Sequence, residues 1–151
     1  MSAKLQVVPS RIGVFLVPVE FVPREWAAIH DLLEPAVERS AGRWTMKSLL
    51  QSLCVGHLHL WIIRDGSEVV AAATTQFVEY PHRKMLSVQF LGGKGIEDWI
   101  DELLIMFERF SRDTQCDGVE AVARFGFWPT MKRNGYSRKY CVYDLILEDS
   151  E

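Results

Sequence analysis

The stretch of this sequence best suited to chemistry is a junction. Met85-Leu-Ser-Val-Gln-Phe-Leu91 reads as a strand, Gly92-Gly93-Lys94-Gly95 as a tight turn and Ile96–Gln115 as a helix. A strand that passes through a glycine turn straight into a helix brings unpaired backbone N–H groups and the positive end of a helix dipole to one point. Such a point suits a phosphate. Lys94 adds a cation there, whereas Glu97 and Asp98 favour the helix start electrostatically and work against a bound anion. Glycine clusters also make plain tight turns, so the spacing alone does not distinguish the two uses. No Ser/His/Asp arrangement, paired-carboxylate spacing or metal-ligand motif accompanies the junction, and hydrolytic or metal-dependent chemistry has no support in the sequence.

The junction needs a domain to hold it, and the composition allows one. The 151 residues, 48% hydrophobic and 25% charged, are expected to form a single globular domain spanning the chain, with residues 1–11 a loose arm and 148–151 a solvated tail. A net charge of −3 argues against a nucleic-acid partner. Cys54, Cys116 and Cys141 are odd in number and far apart, which supports neither a disulfide framework nor a metal site and predicts reduced core thiols. The N-terminus lacks a basic start followed by an apolar run, and no apolar stretch approaches the roughly 20 residues of a membrane span. A soluble, cytoplasmic protein is expected, or a soluble part of a larger particle.

Along the chain, Gly13–Val19 reads as a first strand. Trp26, Ile29, Leu32 and Leu33 recur at helical spacing behind Pro23, and Pro35 is expected to break or kink that helix and leave a short second piece over Pro35–Arg39. Thr45 is placed to N-cap a further helix that buries Met46, Leu49, Leu50 and Leu53 and closes at Gly56. From His57 the period becomes two. Leu58–Ile63 and Glu68–Glu79 flank Asp65-Gly66, a strong hairpin signal, and Lys84–Leu91 returns as a third strand. In this meander His59 alternates with Leu58 and Leu60 and is expected to face solvent. The helix from Ile96 carries a broad apolar stripe through Trp99, Ile100, Leu103, Phe107 and Phe110. Val119–Arg124 then reads as a buried strand, so Leu86 to Arg124 makes a right-handed strand–helix–strand crossover with parallel strands. A short helix at Thr130–Asn134 and final strands within Tyr136–Glu148 complete the chain. The predicted class is α+β, a mixed sheet with helices on both faces.

This order of elements resembles the GNAT acyltransferase superfamily over roughly Gly13–Leu147. The family's loop pattern is Gln/Arg-x-x-Gly-x-Gly/Ala. Gln89 and Gly92 supply its first two anchors, while Lys94 stands where a small residue is usual and Gly95 comes one position late. The sequence is closer still to GNAT-like proteins encoded in tailed-phage genomes, through Asp65-Gly66-Ser-Glu-Val-Val70, Tyr80-Pro81-His-Arg-Lys84, the Gly92-Gly93 pair followed by Trp99, and Ala123-Arg124-Phe-Gly126-Phe127 leading to Lys132-Arg-Asn-Gly135-Tyr136. That group often carries Gly-Arg-x-Gly-Trp where Ala123–Phe127 stands.

The resemblance implies acetyl-coenzyme A or another acyl-coenzyme A as cofactor, lying in a wedge between the strands on either side of the long helix. Gln89, Gly92, Gly93, Lys94, Gly95, Ile96 and Arg124 are the residues it implies for binding, with further positive charge from Lys132, Arg133, Arg138 and Lys139. Acyl transfer to an amine also calls for a base and a proton donor. Glu79 is the first base candidate, with His82, His57 and His59 behind it. The family's usual tyrosine donor falls at Met131, which leaves Tyr136, with Tyr140 and Tyr143 nearby, to substitute. The acceptor pocket would be built by the early helices and the loops around Ser40–Arg43 and Tyr80–Arg83. The altered loop and missing tyrosine equally fit a second reading, a catalytically inactive phage structural, assembly or host-protein-binding component, found in the host cytoplasm or the virion. Exposed Trp44, Trp61 or Trp128 would favour such a protein partner, and open sheet edges would allow a homodimer across a two-fold axis.

Overall fold

Asp65-Gly66 and the turn at Tyr80–Arg83 fold the middle of the chain into the predicted meander. Gly66 takes the left-handed conformation that its turn requires (φ +62°), and the Tyr80 N–H donates to the Arg83 carbonyl at 2.7 Å. The structure, a computed structural model, describes residues 11–147; the expected N-terminal arm and acidic tail lie almost wholly outside them. In chain order the elements are β1 (Ile12–Val17), a 3-10 turn (Val19–Phe21), α1 (Val22–Glu38), α2 (Met46–Cys54), β2 (His59–Asp65), β3 (Glu68–Glu79), β4 (Lys84–Gly93), α3 (Ile96–Asp113), β5 (Gly118–Ala121), a second 3-10 turn (Phe125–Phe127) and α4 (Trp128–Arg133).

The five strands lie in the order β1-β2-β3-β4-β5, the first four antiparallel and β5 parallel to β4. Alternation along β2 sends side chains to two different cores. Leu60 and Ile62 meet Ile29, Leu33, Val37, Leu49 and Leu53 of α1 and α2, whereas Trp61 and Ile63 meet Trp99, Leu103 and Phe107 of α3. Because helices cover both faces, Ala71–Thr75 at the centre of β3 have no exposed surface. The mixed α+β sheet with helices on both sides is as expected. Thr45 does cap α2: its hydroxyl accepts from the Ser48 N–H at 3.1 Å while Ser48 Oγ accepts from the Thr45 N–H at 2.9 Å, a reciprocal capping box.

One irregularity shapes the rest. Thr75 pairs with Val88 and Thr74 with Phe90, so Gln89 is an extra residue in β4. The bulge reverses which way the strand faces: Leu86 and Val88 pack toward α3, yet Phe90, of the same parity, packs toward α1. The Phe90 N–H donates to the Thr74 hydroxyl at 3.1 Å.

Several expectations need correction. Pro35 does not break α1, which runs through it. It stands in the last turn, where its missing N–H forfeits a single bond, and buried Ile29, Leu33 and Val37 carry one apolar stripe across it. His59 does not face solvent. β2 is an inner strand whose second face is covered by α3, and the imidazole is half-buried between the Phe77 and Phe110 rings (4.6 and 5.3 Å) with Nδ1 2.8 Å from Thr75 Oγ1. Cys54 and Cys141 are exposed rather than core thiols, since one ends α2 and the other follows α4 in an unpaired segment. β5 stops at Ala121, short of Arg124. Finally, residues 136–147 carry no strand. The segment departs from the sheet, and Asp144 is drawn to Arg43 in the α1–α2 loop, at 3.0 Å.

Candidate functional site

β5 accompanies β4 only from Met85 to Val88, where Ala121 is the last paired residue. β4 continues with β3 alone through Gly93. From the bulge at Gln89 onward, one edge of β4 therefore has no strand beside it among the described residues, and the sheet opens into a wedge. Gln89 itself is half-buried, its amide nitrogen donating to Ser87 Oγ at 3.1 Å. The α1–α2 loop closes on the same region, with the Trp44 ring edge-on to Phe90 at 5.8 Å. The Tyr80–Arg83 turn precedes Lys84, at the far end of β4. Of the two loops expected around an acceptor, only Ser40–Arg43 adjoins the wedge.

The two glycines that end β4 are occupied by the protein. A Cβ on Gly92 would run into the backbone carbonyl of Leu32 in α1, and one on Gly93 would run into Ala71. Their lack of side chains lets helix and strand approach. Gly95 differs. It takes a left-handed conformation (φ +64°) as the N-cap of α3, and no side chain caps the helix there. The Asp98 N–H already donates to the Gly95 carbonyl at 2.9 Å, which leaves the first-turn amides at Ile96 and Glu97 for a ligand. The turn is braced from inside: the buried Trp99 indole N–H donates to the Lys94 carbonyl at 2.7 Å, and the Lys94 N–H donates to the Val70 carbonyl at 2.9 Å. Lys94 Nζ lies 3.5 Å from Glu68, an exposed pair of little energetic weight that a phosphate could displace. An uncapped helix start with an exposed lysine beside it fits a phosphate group, although exposed Glu97 and Asp98 in the same turn reduce the fit.

The remaining predicted site residues lie elsewhere. Arg124 and Tyr136 line a cavity of about 830 Å³ between β5, α3, α4 and residues 136–142, and none of Gln89, Gly92, Gly93, Lys94, Gly95 and Ile96 lines it. The Arg124 guanidinium lies 5.8 Å from the Phe127 ring, and no carboxylate pairs with it among the described residues. Tyr136 packs with Met131 against the α3 core, and burial, with Glu108 adding a smaller repulsion, pushes its phenol up to about 12. α4 is fixed by Asp101 of α3, which accepts from Asn134 at 2.8 Å and from Arg133 at 2.8 Å; those bonds, Asn134's first, hold the carboxyl below its usual range. Glu79 is exposed and opposite Lys84, four residues of strand before Val88, so about 13 Å from the mouth of the wedge. Trp44 and Trp128 are half-buried and Trp61 is buried, so no tryptophan forms an exposed docking feature. No group of three or more His, Cys, Asp or Glu able to hold a metal occurs among the described residues, and no described helix is long and apolar enough to cross a membrane.

The sequence does not announce what two residues of the site do. Trp99, singled out only as following the glycine pair and as part of an apolar stripe, braces the turn through its indole N–H. Thr74, a polar residue in an alanine-rich strand, braces the bulge.

The geometry can be set beside known proteins. No family model and no curated protein matches the sequence. Solved structures do match in shape. An aminoglycoside acetyltransferase from an uncultured soil metagenomic sample, solved with trehalose, superposes with a TM-score of 0.68 at 9% identity, covering 93% of this chain and 97% of that one. A "predicted acetyltransferase" from Clostridium acetobutylicum solved with acetyl-CoA gives 0.65 at 12% identity over 89% and 96%. A GCN5-related N-acetyltransferase from Ralstonia eutropha JMP134 gives 0.64 at 15% identity over 89% and 98%. None of these three descriptions names a phage protein, and the phage resemblance rests on sequence alone. Together with the five-stranded sheet and its single parallel pair, these matches give the chain the fold of the GNAT acetyltransferases.

Proposed function

We propose that this protein is an acyl-coenzyme A-dependent N-acyltransferase acting at the wedge between β4 and β5. The observation that carries the reading is the loss of β5 pairing at the bulged Gln89, immediately upstream of the uncapped start of α3. In this reading the amides of Ile96 and Glu97, with Lys94 Nζ, hold the pyrophosphate, and the unpaired edge of β4 from Gln89 to Leu91 holds the amides of the pantetheine arm. Acyl-coenzyme A, when bound, would supply an acyl thioester, whose acyl group would pass to an acceptor amine with loss of a proton from the amine and release of coenzyme A as its thiol.

The chain contributes positioning more than proton transfer. With its phenol at about 12, Tyr136 would have to protonate a thiolate near 8.5, uphill by about 5 kcal/mol. Glu79 stands at the other end of the sheet. Neither of these two first candidates therefore fits the proton steps, and in this reading the rate comes from orientation and the polarising backbone. Arg124 supplies positive charge from the cavity beyond β5 rather than from the phosphate turn. A cytoplasmic location belongs to this reading, because that is where acyl-coenzyme A is available.

The test is calorimetric titration with acetyl-coenzyme A of the wild-type protein and of Lys94→Glu. Micromolar binding, weakened about tenfold or more in the variant, supports the reading. The absence of both heat and thermal stabilisation at millimolar ligand would overturn it, leaving the fold as a scaffold for protein contacts.

A further inference from the structure

The cavity enclosed by β5, α3, α4 and residues 136–142 holds charges of both signs that do not neutralise one another. Arg124, Arg138 and Lys139 line it, and no carboxylate pairs with any of the three among the described residues. The two guanidinium groups are stacked on aromatic rings instead, Arg138 at 4.4 Å from the Trp128 ring and Arg124 at 5.8 Å from that of Phe127. Stacking engages the face of a guanidinium and leaves its N–H edges free for a carboxylate.

The carboxylates lining the same cavity are held in other ways. Glu108 pairs with Arg112 at 2.9 Å, and Asp117 accepts from the Lys84 backbone N–H at 2.8 Å. Glu120 is half-buried and pairs with no cation among the described residues. Its two oxygens accept from the hydroxyl of exposed Tyr80, at 2.9 and 3.1 Å. A neutral phenol is a weaker partner for a carboxylate than an ammonium group is, so an amine can take its place.

Glu120 also stands where the acyl group would arrive. Leu86, Val88 and Val119 pack toward α3, so Ser87 and Glu120, which are opposite each other on β4 and β5, face the other side of the sheet. Ser87 Oγ accepts from the amide of Gln89, the bulge residue. The carboxylate therefore lies one residue before the last β4–β5 pair, at the mouth of the wedge. Arg124 follows beyond the end of β5, its Cα at most about 14 Å from that of Glu120. A small molecule can bridge the two.

We propose that this cavity takes the acyl acceptor and that the acceptor is a zwitterion, its ammonium group replacing the Tyr80 hydroxyl at Glu120 and its carboxylate lying between Arg124 and Arg138. An apolar chain joins the two charges and runs past Val122 and Phe125, which line the cavity between them. The role of acceptor rests on the acyltransferase reading; the affinity for a zwitterion does not.

The probe is 6-aminohexanoate, with hexylamine and hexanoate as single-charge controls. Each is titrated, without coenzyme A, into isotope-labelled full-length protein at neutral pH and followed by the amide signals. Shifts at Glu120 and Ala121 together with Arg124 and Arg138 are expected, at an affinity about tenfold or more above that of either control, because each control leaves one charge-assisted contact unmade. Glu120→Gln should erase the advantage over hexanoate, and Arg124→Gln with Arg138→Gln the advantage over hexylamine. Equal affinity for the three compounds, no shifts at about 50 mM, or advantages that survive the substitutions would overturn the proposal. If a variant fails to fold, the comparison of the three compounds on the wild-type protein still decides. Saturating acetyl-coenzyme A separates the proposal from the reading it rests on. Unchanged affinity for 6-aminohexanoate supports an acceptor site beside the cofactor, whereas its displacement would overturn that role and give the cations to the phosphates of coenzyme A. Should acetyl-coenzyme A not bind at all, the acyltransferase reading fails, and the zwitterion site stands or falls on the titrations alone.

Discussion

Gly92 rests on the carbonyl oxygen of Leu32, with no room for a methyl group between β4 and α1. Gly92→Ala must therefore move a helix or a strand, and a loss of about 1–3 kcal/mol or more is expected. Gly126 has nothing within 4 Å of a would-be Cβ, and Gly126→Ala should stay within about 0.5 kcal/mol of wild type. Chemical denaturation of the two variants checks the contrast. Equal midpoints would mean that the close approach is not a constraint.

Trp99 reaches the same turn from the core. Trp99→Phe keeps most of the buried ring and deletes the N–H that holds the Lys94 carbonyl, so a loss of about 1–2 kcal/mol is expected. Under the proposed function it should also weaken acetyl-coenzyme A binding while leaving the acceptor KM unchanged. Both are measurable in one series of melts and titrations, and a variant with wild-type affinity would separate the indole from ligand binding.

His59 gives the protein a pH dependence. Burial lowers its pKa below 6.5, so between those two values the unfolded chain binds a proton that the folded protein refuses. Its contribution to stability is complete above about pH 6.5 and is lost as the pH falls through the lower folded value. Thermal melts from pH 8 to pH 5 should show wild type losing more stability than His59→Gln. Parallel curves would remove the imidazole from the account.

Tyr136 should prove dispensable for chemistry. A general acid is worth about 10²–10⁴ in rate, whereas Tyr136→Phe is expected to keep kcat within roughly tenfold, and the wild-type profile should show no alkaline limb below pH 10 from this phenol. A loss of a hundredfold, with a new pH dependence, would make Tyr136 the donor after all.

The meander was plain in the sequence because its turns are local chemistry: Asp65-Gly66 fixes the first hairpin whatever surrounds it, and Thr45 with Ser48 fixes the start of α2. The crossover from β4 to β5 was legible for the same reason, since α3 carries an unbroken apolar stripe. What escaped was decided by distant partners. The imidazole of His59 is buried only because α3 lies over it, and Pro35 is harmless only because α1 has a core to press against. The glycine pair, a phosphate cradle by sequence, also serves packing through the side chains it lacks, and nothing local announces that second use. The C-terminal residues carry the pattern of a strand, yet they form none, because a pattern does not supply the neighbouring edge that a strand needs. The wedge itself came from family resemblance. Alternation of Leu86, Val88 and Phe90 reads as one continuous face, and the residue that interrupts it is invisible without β3 alongside.

That extra residue makes β4 tolerant of one particular change in length. Removing Gln89 would let the two strands pair straight through, with Val88 still opposite Thr75 and Phe90 still opposite Thr74. Neighbouring residues of a strand face opposite ways, so Phe90 would stay against Trp44, Leu91 in the α3 core and Gly92 against Leu32. What the deletion would remove is the local bend at the point where β5 pairing ends. Losing any paired residue beyond the bulge would instead turn the side chains that follow to the wrong face. Sequences that descend from this one should vary freely in the identity of residue 89, and lose it at less cost than its paired neighbours.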